Sequence, residues 1–442
     1  MTSWSAARRR FCPVATGTPC RVDWRRRTPT LNTRNHIGVL AMLPDRSAGR
    51  FAADVRVSVE ELRADGVVMH WDIDAETVMS ADSEVDLSVL HPAWGELKRS
   101  ARQEWLTATL RMLLVPPTPP DELESTADLV PVVRSRVSVE INQLSIEALS
   151  GKAPQMASSI PFRNVGGGLV ACLGWDQMNT LAIINSGTLR KWSKSFEDLM
   201  ELAAANMKNR FGVTPPWVDL RDGVWQLETD QPYAGSWLLE TGVFDDLGLA
   251  GDPVVVNPHR RLLLVAGSDD EWGLDNLAHR SIEAHDIPTY SSLIPMVYAG
   301  ETWLPFTLPK DHCAVRAFAR AAANDAQINY INQQGPLEEL AGEEWYVANF
   351  NAVESDDEPG RFVTYATWTD GMPTLLPEVD IVNLVEVIDM EAHVVNSKFV
   401  TFADLRDACG DGLQLTTMHP TRWQASSLPT QEVIEQLPRA EF

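Results

Sequence analysis

The stretch Gly251–Gly267 constrains this chain more than any other: two apolar runs, Val254–Val256 and Leu262–Ala266, flank the short polar turn Asn257-Pro258-His259-Arg260-Arg261. Runs of this length on either side of a turn predict a β-hairpin set into a packed core. An amphipathic helix follows, with Leu274, Leu277 and Ala278 on one face over residues 273–284. A chain built around such a unit buries sheet against helix, so an α+β architecture is expected, with mixed and antiparallel sheets under packed amphipathic helices.

Other segments repeat the theme. Val55, Val57 and Val59 alternate with polar residues ahead of Val67–Trp71, which predicts a strand pair. Trp94, Leu97, Ala101, Trp105, Ala108 and Met112 recur at spacings of three and four, predicting one helix of about five turns. The proline- and acid-rich stretch 116–128 reads as a loop. Leu129–Val133 and Val137–Ile141 read as extended segments, and Leu169–Leu173 pairs with Leu181–Ile184 across a turn at Asp176–Asn179. Ser195 is placed to cap a helix bearing Phe196, Leu199, Met200, Ala203, Met207 and Phe211, with Gly212 to end it. Beyond Pro309 come an alanine-rich helix from Ala314, strands near Trp345–Phe350, Phe362–Trp368 and Ile381–Val387, a solvated loop at Glu354–Gly360, and a last helix capped by Thr401 with Asp404. Three regions are therefore expected: a basic segment 1–50, a main α+β region 51–310 and a smaller α+β domain 311–442.

Charge divides the chain unevenly. Met1–His36 holds eight arginines against Asp23 alone, a net +7, while the rest holds 29 basic and 60 acidic residues, a net −31. The basic segment has no continuous apolar run behind its arginines, which makes it a poor secretory signal; the competing readings are a disordered arm, an Arg-rich targeting peptide or translation upstream of a start at Met42, the last favoured. An acidic body of this kind repels nucleic acid and anionic membrane surfaces. It attracts a basic protein partner, or serves solubility alone. No apolar run approaches the ~20 residues of a membrane span. The five cysteines, Cys12, Cys20, Cys172, Cys313 and Cys409, form no CxxC pair, so neither a disulfide framework nor a zinc site is indicated and a cytoplasmic location is expected.

The blocks Leu129–Ser135, Asn185–Phe211, Gly251–Ser268, Gly273–Ala278, Ile287–Leu293 and Trp303–Phe306, in that order, resemble the YtpQ-like family of bacterial domains of unknown function over about residues 51–310. The stretch Thr364–Gly371 resembles a module that accompanies such domains. The resemblance implies a cytoplasmic α+β protein and implies no reaction. Where the family tends to carry an acid after the Pro-His pair, this chain has Arg261, so a carboxylate role there is closed to it.

Candidate chemistry is sparse. His259 and Arg260 in the hairpin turn are a candidate anion-binding pair, and Asp269, Asp270 and Glu271, between a strand and a helix, are carboxylates in a position to bind a divalent cation. The bland alternatives are a turn whose cations stay in water or pair with Asp269, Asp270 or Glu271, and acids that favour a helix N-terminus. Gly166-Gly167-Gly168 precedes a strand and lacks a P-loop lysine, so a turn is expected. His279 and His285 lie six apart, with no metal-ligand spacing, and no metal or cofactor is expected. No nucleophile elbow or catalytic triad can be nominated. Trp94 and Trp105 fall on the helical stripe and are assigned to the core, whereas Trp217, Trp225, Trp303 and Trp423 lie in polar or proline-bearing stretches and are candidate partner contacts. The sequence thus points to a non-catalytic interaction protein with an acidic surface; the alternative is an enzyme or small-ligand sensor around His259, Arg260 and Asp270.

Overall fold

The computed structural model describes residues 46–64, 67, 69–72, 77–80, 84–114, 119–141, 159–177, 180–229, 233–285, 290–342, 344–355, 357–358, 360–389 and 394–440. The arginine-rich stretch and Met42 lie outside them. Two compact units divide the chain, Met1–Asp54 and Val55–Phe442; the described part of the first is the opening of helix α1 (Arg46–Ala64).

That helix corrects the strand expected at Val55–Val59. Val55, Val59 and Leu62 are buried and Val57 is 43% exposed, so the valines at 55 and 59 belong to a helical stripe that Leu62 continues. The alternation was a coincidence of two periods over five residues. A three-stranded antiparallel sheet follows, β1 (Met69–Asp72), β2 (Thr77–Ser80) and β3 (Glu84–Asp86), so the strand at Met69–Trp71 is present with β2 as its neighbour. The expected five-turn helix is two: α2 (Leu87–Glu96) and α3 (Arg102–Leu114), separated by a corner with extended backbone at Leu97. Arg102 closes that corner, donating to the carbonyls of Leu97 and Gly95 and lying 4.2 Å over the Trp94 ring. Trp94 is buried as expected, but beyond the corner the buried stripe is Leu106, Leu110 and Leu114, and Trp105 is only half-buried.

The second sheet joins β4 (Leu129–Ser135), β5 (Arg163–Gly166), β6 (Leu169–Gln177) and β7 (Thr180–Ile183), all antiparallel. β6 pairs over Leu169–Trp175 with the whole length of β4 on one edge. Its other edge is shared, β5 taking the first residues and β7 the last. Residues 136–141 are helical, which corrects the extended segment expected at Val137–Ile141. There Arg136 and Glu140 pair one turn apart at 2.7 Å, and Ser138 Oγ donates back to the carbonyl of Ser135. The three glycines form the β5–β6 turn. At Gly166, with φ +136°, a Cβ would stand 1.9 Å from the carbonyl oxygen of Trp303, so only a residue without one lets the turn seat there.

Helices α4 (Ser186–Trp192) and α5 (Phe196–Phe211) cover this sheet. Ser195 Oγ accepts from the Asp198 amide at 3.1 Å, and Leu199, Met200, Ala203 and Met207 face inward as the spacing predicts. Next come β8 (Val218–Asp219), β9 (Trp225–Glu228), two 3₁₀ stretches at Ala234–Leu239 and Thr241–Leu247, β10 (Pro253–His259), β11 (Leu262–Gly267), α6 (Glu271–Ala284), β12 (Tyr290–Tyr298) and β13 (Trp303–Pro305). These strands form a six-stranded antiparallel sheet in the order β13-β12-β10-β11-β9-β8. Its two faces explain the continuous apolar runs of the hairpin. Val255, Leu263, Val265 and Met296 pack into the core shared with β4, β6 and α5. On the opposite face Val254, Val256, Leu264 and Ala266 pack under Leu274, Leu277 and Ala278 of α6.

Helix α7 (Val315–Ala341) is longer than its alanine-rich start. Its Ala317 and Phe318 join the core under α6, and its Tyr330 joins the core of the C-terminal sheets. Though it begins just past the boundary expected near residue 311, it therefore packs against both expected regions, and packing is continuous from Val55 onward. The remaining elements are β14 (Tyr346–Val347), β15 (Asn351–Glu354), β16 (Phe362–Thr369), β17 (Thr374–Pro377), β18 (Ile381–Asp389), β19 (Val394–Thr401), α8 (Phe402–Cys409), β20 (Leu413–Leu415), β21 (Arg422–Ala425) and α9 (Gln431–Gln436). They build two mixed four-stranded sheets, β15-β16-β18-β19 and β14-β17-β21-β20. Thr401 Oγ1 accepts from the Asp404 amide, the expected cap of α8. The fold is α+β, and among the described residues no helix is long and apolar enough to cross a membrane.

Candidate functional site

The β10–β11 hairpin fixes where the sequence candidates stand. His259 and Arg260 sit at its tip, Asp269 and Asp270 beyond its foot, because His259 pairs with Leu262 while Pro253 pairs with Gly267. Six residue steps separate Pro253 from His259, about 19–20 Å at the rise of an antiparallel strand. The pairs do not converge.

At the tip, the backbone is folded into the body rather than projecting. Asn257 Nδ2 donates to the carbonyls of His259 and Leu262 at 2.9 and 2.6 Å. The amides of Ala234 and Thr229 donate to the carbonyls of Arg260 and Arg261. His259 Nδ1 accepts from the Arg261 amide at 3.3 Å. Arg260 is buried, at 3% exposure, so neither solvation in open water nor pairing with the acids at the foot describes it. The expectation failed because a turn between apolar strands of a sheet buried on both faces is itself covered.

At the foot, Asp270 Oδ1 accepts from the Gly273 amide at 2.9 Å and caps α6, and Glu271 occupies the first turn. Asp269 is exposed. Of the histidines on this helix, His279 lies 3.8 Å from Asp275, while His285 Nδ1 meets the carbonyl of Ile282. Among the described residues, no three His, Cys, Asp or Glu side chains are gathered to hold a metal ion.

The four candidate contact tryptophans are packing residues. Trp303 is buried, donates from Nε1 to the carbonyl of Leu238 at 2.9 Å, and meets Phe244 edge-on at 5.6 Å. This corrects its assignment to the surface: its proline-bearing context is edge strand β13, pressed against the core. Trp217 and Trp225 are half-buried against the same core, Trp217 with its ring 5.7 Å from Phe244. Trp423 is half-buried on β21, edge-on to Phe402, with Nε1 3.3 Å from Glu378.

Among the described residues, the tryptophan that does face water is Trp272, 66% exposed in the first turn of α6. The apolar face of that helix is Gly273, Leu274, Leu277, Ala278 and Ser281, which turns Trp272, Asp275 and His279 outward together. Between Ser268 and Ala284 stand five carboxylates, Asp269, Asp270, Glu271, Asp275 and Glu283, against one guanidinium, Arg280. Arg280 is engaged with Asp222 on the β8–β9 turn through Nε at 2.7 Å. The signal was in the sequence: a helical wheel drawn through Leu274, Leu277 and Ala278 leaves Trp272 on the polar side.

The buried ionisable groups serve the architecture. Asp325 of α7 accepts from the Tyr290 hydroxyl, the Leu293 amide at 2.7 Å and Asn329 Nδ2 at 2.8 Å, and burial pushes its carboxyl up to about 6. Arg422 donates from Nε to Gln333 Oε1 at 2.6 Å and from Nη1 to the carbonyls of Ala348 and Leu375, and burial lowers it to about 10. Asp176 meets Arg210 and Tyr233; burial raises both its carboxyl and the Tyr233 phenol. Cys172 is buried in β6, as expected for a small core residue, and Cys172, Cys313 and Cys409 form no disulfide among the described residues. Comparison of the chain with protein-family models, with characterised proteins and with solved structures yields no match.

Proposed function

We propose that this is a non-catalytic interaction protein of the cytoplasm that binds a protein partner through an acidic surface. The observation that supports it is Trp272, an indole left 66% exposed on a helix that carries Glu271, Asp275 and Glu283, with Asp269 and Asp270 just ahead of it. A large aromatic that the fold does not use for its own packing is the kind of residue that anchors interfaces. The acids around it, within a body of net −31 outside the first 36 residues, favour a basic protein and disfavour nucleic acid and anionic membranes. Described cysteines that form no disulfide with one another suit a reducing compartment. The rival reading, a ligand site joining His259 and Arg260 to Asp270, loses its support because the hairpin holds those groups at opposite ends.

The immobilised full chain, exposed to cell lysate at about 0.05 M and about 0.5 M salt, tests the proposal through electrostatic screening. A protein retained at low salt and released at high salt is the expected result. Recovery of the chain alone at every salt concentration sinks it.

A further inference from the structure

We propose that the outward face of α6, centred on Trp272, is a docking site for a lysine- or arginine-bearing segment of the partner. This rests on the interaction reading above and specifies where and what. Trp272 is flanked by Glu271 and, one turn on, by Asp275, whose Cβ falls within about 5–6 Å of that of Trp272 on an ideal helix. A cation laid over the indole face there is attracted by the ring and by both carboxylates at once. Glu271 and Glu283 make no ion pair among the described residues, so their charge is available to a partner. Asp270 is committed to the helix cap, which offsets the positive end of the helix under the site. Arg280, the one guanidinium of the helix, is turned to Asp222 and does not compete for the indole. Charge also excludes other occupants. A purely apolar partner would strip water from the carboxylates without replacing it, and an acidic one would be repelled.

The probe is a dye-labelled octa-arginine peptide, titrated into the full chain and read by fluorescence anisotropy at about 0.05 M salt. Saturable binding is expected, weakened about five- to tenfold by Trp272→Ala, largely kept by Trp272→Phe, and unchanged by Leu415→Ala, which alters an exposed apolar side chain on β20. Trp272 is exposed enough that circular dichroism of the variant should match the parent. No saturable binding by the parent, or equal binding by Trp272→Ala, overturns the site. Repeating the lysate capture with Trp272→Ala separates the two failures: a salt-sensitive partner still retained overturns this site and leaves the broader reading, whereas nothing retained by the parent overturns the broader reading itself.

Discussion

Helix α7 is held at two places by buried ions of opposite sign, and the two anchors differ in kind. Toward its first half, Asp325 is an acceptor taking bonds from β12 and from its own helix. Toward its second half, the acceptor Gln333 and the Tyr330 ring receive Arg422 from β21, whose guanidinium lies 5.2 Å over that ring. Burial disfavours the charged form in both, yet with unequal consequence. A guanidinium lowered to about 10 stays charged at neutral pH, while a carboxyl raised to about 6 changes charge within the physiological range. One anchor is permanent and the other is conditional. Both face inward and are fully engaged, in contrast to the acids of α6, which face water.

The permanent anchor should be the costlier to remove. Arg422→Ala strands Gln333 Oε1 and the carbonyls of Ala348 and Leu375 in the interior, so the unfolding free energy should fall by about 3–5 kcal/mol in chemical denaturation. A loss under about 1 kcal/mol would show that the pocket relaxes or hydrates, and the contrast with Asp325 would collapse.

The conditional anchor predicts a pH signature. Asp325 binds its proton more tightly folded, at about 6, than unfolded, at 3.8. Between those values the folded state carries more protons, so the stability due to this group falls as pH rises from about 4 to above 6, by about 3 kcal/mol in all. Asp325→Asn removes the titration and keeps an oxygen for Tyr290 and Leu293. Turning the Asn329 amide, whose Oδ1 makes no hydrogen bond among the described residues, supplies an acceptor for the new NH₂. The variant should therefore gain on the parent progressively between pH 4 and pH 7. A difference that stays flat with pH means the carboxyl titrates as it does unfolded.

Neither anchor was legible in the sequence, and the reason is physical. Asp325 reads as a polar residue in an alanine-rich helix and Arg422 as one cation near the end of the chain. Asn329 apart, which lies one turn from Asp325, their partners stand 32 to 89 residues away, beyond any local pattern. What was legible is what local periodicity encodes: the Gly251–Gly267 hairpin, the Ser195 and Thr401 caps, the β6–β7 pair. Misreadings arose where two periods coincide, as at Val55–Val59, or where a corner interrupts a stripe, as at Leu97. The site candidates failed for a related reason. Closeness in sequence put His259, Arg260, Asp269 and Asp270 in one cluster, but the strand between them is extended and carries them apart. Trp272 could have been found from the helix it begins, since amphipathic spacing alone assigns it outward.

Removing one phenol hydroxyl from each anchor gives the finest comparison. Tyr330→Phe loses the donor to the Thr421 carbonyl at 2.7 Å and the acceptor for the Glu378 amide, but keeps the ring stacked on Phe350 and under Arg422. A cost of about 1 kcal/mol follows, constant from pH 4 to pH 8, because the guanidinium stays charged throughout. Tyr290→Phe takes a donor from Asp325. That bond holds the carboxyl down against the desolvation that raises it, so losing it moves the folded value further above 6 and extends the declining limb of stability toward higher pH. The two variants should cost alike near pH 4, where Asp325 is neutral, and diverge by about 1 kcal/mol near pH 8. Urea denaturation at intervals across that range checks it: parallel curves for the two would mean the tyrosine bond to Asp325 does not distinguish its charged from its neutral form.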